Sequence, residues 1–189
     1  MQLTAERLLL REFVEDDWPA VLAYQSDLRY LRFYEWAERT ETDVRAFVQM
    51  FLSQQKEEPR RKFQLAVCLR GEMQLIGNCG VRLREAGSRV ADMGYELAPE
   101  FWGQGYATEA ARAVVAFGFT ELNVHRIEAA CIADNAASAR VMEKAGLKFE
   151  GRLRQHKWFK GRWWDTLLYA ILEDEWKALG REGDCLRCE

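Results

Sequence analysis

Apolar and polar positions along the chain fall into short alternating runs and helical stripes. Leu8, Leu10 and Phe13 alternate with charged residues over 7–13, which predicts a first strand with one wet face. Asp16-Asp17-Trp18-Pro19 reads as a capped helix start with proline in the first turn, and Val21, Leu22 and Tyr24 supply its apolar side. An aromatic-rich stretch follows, with Tyr30, Phe33, Tyr34 and Trp36. A second helix is predicted from near Thr40 to about Lys56, where Val44, Phe47, Val48 and Phe51 make one stripe. After a charged loop, three strands over 63–69, 74–83 and 89–97 form a meander, turned by Arg70-Gly71-Glu72-Met73 and Glu85-Ala86-Gly87-Ser88. Ala107, Ala110, Ala111, Val114 and Gly118 then lie on one face of a helix reaching roughly Leu122. A strand over 125–132 leads to a helix over 136–145, opened by Asp134-Asn135 and stopped by Gly146. Two closing strands, about 147–158 and 163–172, join at Lys160-Gly161-Arg162, and a last helical turn carries Trp176. The order β-α-α-β-β-β-α-β-α-β-β describes a mixed α+β domain without repeats.

Composition narrows the function more than the fold. The 189 residues suit one domain, and a net charge of −3 argues against a nucleic-acid scaffold, so no direct DNA binding is expected. No apolar run approaches the roughly 18 residues of a membrane span, and the first residues lack a basic segment followed by an apolar core. A soluble, cytoplasmic protein without a membrane partner is the expectation; a homodimer is left open. Of the five cysteines, Cys68, Cys79 and Cys131 sit in apolar runs and read as buried thiols. Cys185 and Cys188 form a C-x-x-C in a polar stretch, 179–189, expected to be a flexible tail; two further ligands are missing nearby, so no metal is expected.

The stretch that points to chemistry is Glu100-Phe101-Trp102-Gly103-Gln104-Gly105-Tyr106-Ala107-Thr108-Glu109-Ala110. It follows the strand-like run Met93-Gly94-Tyr95-Glu96-Leu97, ended by Pro99, and opens the Ala-rich helix. A strand, a glycine turn and a helix start together place unpaired backbone N–H groups and the positive end of a helix dipole at one point, which is an anion site. A dinucleotide fingerprint would need glycine where Thr108 stands, and a Walker loop would need Gly-Lys-Ser/Thr; neither fits.

The run Gly94-Tyr95-Glu96-Leu97-Ala98-Pro99 with Trp102-Gly103-Gln104-Gly105-Tyr106-Ala107-Thr108-Glu109-Ala110 resembles motif A of the GNAT superfamily of acyl-CoA-dependent N-acetyltransferases, and within it the RimJ/RimL type. The wider pattern has Arg or Gln where this chain has Trp102, so backbone donors rather than a cationic side chain at that place are implied to hold the pyrophosphate. The resemblance covers nearly everything from Arg7 to about Trp176. It implies a single acetyltransferase domain over 1–178, a mixed central sheet of about seven strands flanked by helices, and a splay between the strand ending at Leu97 and the one near 126–132, with acetyl-CoA in the gap.

The same resemblance implies the site. Leu97, Trp102, Gly103, Gln104, Gly105, Tyr106, Ala107, Thr108, Asn135 and Ser138 would contact the cofactor. Ser138 would protonate the departing thiolate, while Asn135 doubles as a helix cap. RimL-type enzymes carry a glutamate in the penultimate strand where this chain has Lys157, within Gln155-His156-Lys157-Trp158. Glu96 acting through a water is the substitute base expected here, with His156 a second candidate. Tyr34, Glu35 and Trp158 are expected to wall the acceptor pocket, Glu35 attracting an ammonium. Arg152, Arg154, Lys157, Lys160 and Arg162 cluster on the closing hairpin, as a solvated face or a surface for acidic acceptors or ribosomal RNA. The expected reaction is acetyl transfer from acetyl-CoA to a primary amine, a protein N-terminal α-amine by similarity. Small-molecule acceptors such as polyamines, amino acids or antibiotics, and a noncatalytic acyl-CoA sensor, are the alternatives.

Overall fold

The computed structural model describes residues 1–180 and, by backbone alone, the short strand 186–188. One sheet of nine strands runs through it: β1 (Gln2–Thr4), β2 (Leu8–Glu12), β3 (Lys62–Leu69), β4 (Leu75–Leu83), β5 (Val90–Leu97), β6 (Arg126–Ile132), β7 (Lys148–Phe159), β8 (Arg162–Leu172) and β9 (Leu186–Cys188), in the order β7-β8-β6-β5-β4-β3-β2-β1-β9. The expected seven becomes nine because β1 and β9 are three-residue strands, too short for any periodicity to register. The C-x-x-C pair, Cys185 and Cys188, lies outside the described side chains, as do positions 181–185 and 189 of the stretch expected to be a flexible tail.

Both faces of the sheet are covered. In β3, Leu65 and Val67 enter one core while Ala66 and Cys68 enter the other, so the strand is an unbroken apolar run rather than an alternation. The first core packs under α4 (Tyr106–Thr120) and α5 (Ala136–Ala145), the second under α1 (Trp18–Gln25), α2 (Leu28–Leu31) and α3 (Glu41–Gln54); α6 (Glu173–Ala178) adds Trp176 to the first. Thr40 and Asp43 form a reciprocal capping box that starts α3 where the pattern predicts it. No helix among the described residues is long and apolar enough to cross a membrane.

The feature that positions the site is a split. β5 and β6 are the parallel pair in the sheet, and they stay paired for three residues, from Val90 with Arg126 to Asp92 with Glu128. Beyond that, β5 continues against β4 as far as Leu97, and β6 continues against β8 as far as Ile132. Met93 to Leu97 therefore present a strand edge with no partner on the β6 side, and α4 and α5 start at the mouth of the gap.

Candidate active site

At the mouth of the split, Gly103 and Gly105 both adopt left-handed backbone, with φ of 76° and 86°. Only glycine takes that conformation without strain. Gly105 is the N-cap of α4, and no side chain caps the helix end. The N–H groups of Tyr106, Ala107 and Thr108 thus lack intrahelical partners. A Cβ on Gly103 would meet nothing within 4 Å, so the cradle is open to a ligand rather than packed shut. These donors and the dipole suit a diphosphate.

Arg7, about a hundred residues away in sequence, straps this loop from behind. Its Nη1 donates to the Gln104 carbonyl at 3.1 Å, its Nε to Glu109 Oε2 at 2.8 Å, and its guanidinium lies 4.4 Å above the Tyr106 ring. Gln104 and Tyr106 face this strap, and their side chains are not on the cavity wall. Gly103, Gly105, Ala107, Thr108, Trp102, Leu97, Asn135 and Ser138 are, around a cavity of about 320 Å³. The Trp102 indole N–H donates to the Leu97 carbonyl at 2.8 Å, which ties the loop to the strand end and occupies that carbonyl.

A second cavity of about 430 Å³ opens on the other side, lined by Tyr34, Glu35, Trp36, Cys131, Lys157 and Phe159 among others. Volumes of this size suit small ligands or a chain end. The two cavities share Phe33, Tyr34, Tyr95, Asn135 and Ser138, so they meet where the two α-helical arms and the split strands converge. At this junction the Asn135 Oδ1 accepts from the Ser138 N–H at 3.1 Å, the expected cap, and the Tyr95 hydroxyl lies 2.8 Å from the Ser138 carbonyl and 2.9 Å from its Oγ. Tyr95 was not singled out from sequence, although it stands in the quoted Gly-Tyr-Glu-Leu run. Burial holds its phenol above the usual range, as it does the thiol of Cys131, pushed up to about 11. At neutral pH Cys131 is a neutral thiol, not a nucleophile.

The surroundings of Glu96 differ from those of a water-activating base. Its Oε1 accepts from Tyr24 Oη at 2.7 Å, Gln25 Nε2 at 2.9 Å and Asn78 Nδ2; its Oε2 accepts from Tyr30 Oη and from Tyr34 Oη at 3.2 Å. Two carboxylate oxygens offer about four lone-pair directions, so five donors leave neither open to a bridging water. The phenols of Tyr24, Tyr30 and Tyr34 are pushed up, first by burial and then by the Glu96 charge, and stay donors throughout the physiological range. Nothing in the spacing of Tyr24, Gln25, Tyr30, Tyr34 and Asn78 signals this convergence; only the packing of α1 and α2 against the sheet assembles it.

On the closing hairpin, Leu153 pairs with Thr166 and Lys157 with Trp164, so Arg154, Gln155 and His156 together oppose Asp165. This bulge puts Gln155 at φ 50°, held by its N–H to Asp165 Oδ1 at 2.7 Å. His156 is exposed, touches Thr166 Oγ1 at 3.1 Å, and lines neither cavity. Lys157 and Phe159 face the second cavity, so by strand alternation Trp158 between them points the other way. Trp158 is 59% exposed and packs edge-on against Trp163 at 5.4 Å, away from the second cavity, contrary to its expected place beside Tyr34 and Glu35. Tyr34 and Glu35 line the second cavity.

Comparison with known proteins agrees with this architecture. Residues 7–148 match the model of the acetyltransferase (GNAT) domain. The chain is 40% identical over 176 residues to the uncharacterized N-acetyltransferase YnaD of Bacillus subtilis, covering 93% of this chain and 99% of that one. A crystal structure of an acetyltransferase (GNAT family) from Bacillus anthracis superposes with a TM-score of 0.80 at 37% identity, over 92% of this chain and 99% of that one. A spermidine N-acetyltransferase from Vibrio cholerae, solved in complex with CoA and spermine, shares the fold at a TM-score of 0.77 and 20% identity, over 90% of this chain and 97% of that one.

Proposed function

The chain belongs to the GNAT acetyltransferase family, whose members use acetyl-CoA as cosubstrate, and from that premise we propose that it passes acetyl directly to an α-amine in a ternary complex. The observation that carries this reading is the enclosure of Glu96 by five donors. A carboxylate so occupied is an anchor for the acceptor wall, not a base. The carboxylate that does line the second cavity, Glu35, is 66% exposed by side chain, where water screens it. An α-amine needs little help: its pKa of about 7.7–8.0, against about 10.4 for a lysine-type amine, leaves a usable neutral fraction at physiological pH. A protein N-terminus, implied by the RimJ/RimL resemblance, and a free amino acid both satisfy this.

In this reading the bound thioester supplies the acyl group, and the chain supplies position. Backbone donors from Gly103 to Thr108 hold the diphosphate, and the unpaired edge of β5 receives the amides of the pantetheine arm as a further strand would. Asn135 and Ser138 sit at the junction, where the Ser138 hydroxyl gives a proton to the departing thiolate and regains through solvent the one that the attacking amine loses, while Tyr95, in hydrogen-bond contact, holds that hydroxyl in place. The neutral Cys131 thiol favours direct attack over an acyl-cysteine. The test is the pH profile of kcat/KM with a lysine-free peptide, read by thiol release. It should rise to a plateau just above pH 8, where the α-amine is neutral. No turnover with any α-amine, while amines of high pKa react, would overturn the reading.

A further inference from the structure

Resting on the α-amine reading, we infer that the preferred acceptor carries an anionic oxygen group beside its amine, received by Lys157 and the indole N–H of Trp36. Among the described residues, the charged side chains lining the acceptor cavity are one acid and one base, Glu35 and Lys157. Their Nζ to Oε1 distance is 4.0 Å, the outer limit of an ion pair, and both are about half exposed or more. A pair this loose costs little to open, so each charge is available to a ligand. The indole N–H of Trp36, on the same wall, is buried and has no hydrogen-bond partner, and an indole can only donate. Trp36 Nε1 and Glu57 Oε2 are the two buried side-chain atoms without a partner among the described residues, and of these the Trp36 donor belongs to a cavity-lining residue, so it calls for an acceptor from outside the chain. A cation and an orphan donor ask for an anionic oxygen; the carboxylate of Glu35 asks for an ammonium.

The combination fits a molecule with both signs of charge and disfavours a polyamine, which would bring only positive charge to a wall that already holds Lys157. The bulge at Arg154 to His156 fixes the strand just before Lys157, because Asp165 pins it through the Gln155 N–H and through Arg152 Nε at 2.6 Å. Two sources share the chemistry: the α-carboxylate of a free amino acid, and an acidic side chain on the first residue of a polypeptide.

The experiment compares paired acceptors by thiol release with acetyl-CoA: alanine against alaninamide, and an Asp-initiated peptide against its Asn-initiated counterpart, with spermidine as reference. We expect the acidic member of at least one pair to have roughly tenfold higher kcat/KM, carried by KM, as befits one charge-assisted hydrogen bond. The pair showing it identifies the source. Lys157→Gln should erase that advantage while leaving the amide's KM unchanged, and Trp36→Phe should reduce it without moving kcat. Equal kcat/KM within both pairs overturns the inference but leaves the α-amine reading standing. So does an equal fall for acid and amide in Lys157→Gln. Turnover of spermidine alone overturns both.

Discussion

The two halves of the site are made of different material. The cofactor half is main chain: two left-handed glycines, an uncapped helix end and the unpaired edge of β5. The half proposed for the acceptor is side chain: the Glu35 and Lys157 pair and the aromatic rings of the α2 segment, held from beneath by Glu96 and its donors. Backbone geometry tolerates most substitutions except at the residues that set φ, whereas a side-chain wall can be rebuilt residue by residue. This is how one anion cradle can serve many acceptors.

Substitutions can break that contrast or sharpen it. The largest effect is expected at Glu96, where Glu96→Ala leaves five donors without their acceptor; a stability loss of about 3 kcal/mol in chemical denaturation should accompany loss of acceptor binding. Unchanged stability would mean that the cage contributes nothing to the fold. At Gly105, with φ of 86°, Gly105→Val should weaken CoA binding by about 2–3 kcal/mol in calorimetry and leave the fold intact. Retained affinity would remove the main-chain cradle from the account. Ser138→Ala keeps the cap, which uses the Ser138 N–H, and should lower kcat by an amount worth about 2 kcal/mol while CoA affinity holds. A proportional loss of both would make Ser138 a binding residue instead. The smallest change is expected for Arg7→Met, about 1 kcal/mol in CoA affinity, with kcat restored at saturating cofactor.

The same contrast explains what could be read from the chain. Local backbone chemistry is legible: the start of α3 near Thr40, the Asn135 cap with Gly146 after α5, and the strand, turn and helix around Gly103 and Gly105 all sit where the residues predict. Contacts between remote segments are not. Arg7 reaches Gln104 across 97 positions, and Tyr24 reaches Glu96 across 72, with no periodic signal at either end. Trp158 points away from the cavity because its neighbours Lys157 and Phe159 take the cavity face, a phase that the residue types themselves do not reveal.

Tyr30 and Tyr34 line the cofactor cavity and Tyr34 also lines the acceptor cavity, yet both hang from the same carboxylate at the end of β5. Any shift of that strand end when the pantetheine arm docks is therefore transmitted to the floor on which the amine must land. Thermodynamic reciprocity then requires that whatever factor the first ligand adds to the second ligand's affinity, the second returns to the first. An order of addition in the kinetics would be the audible side of that shared joint.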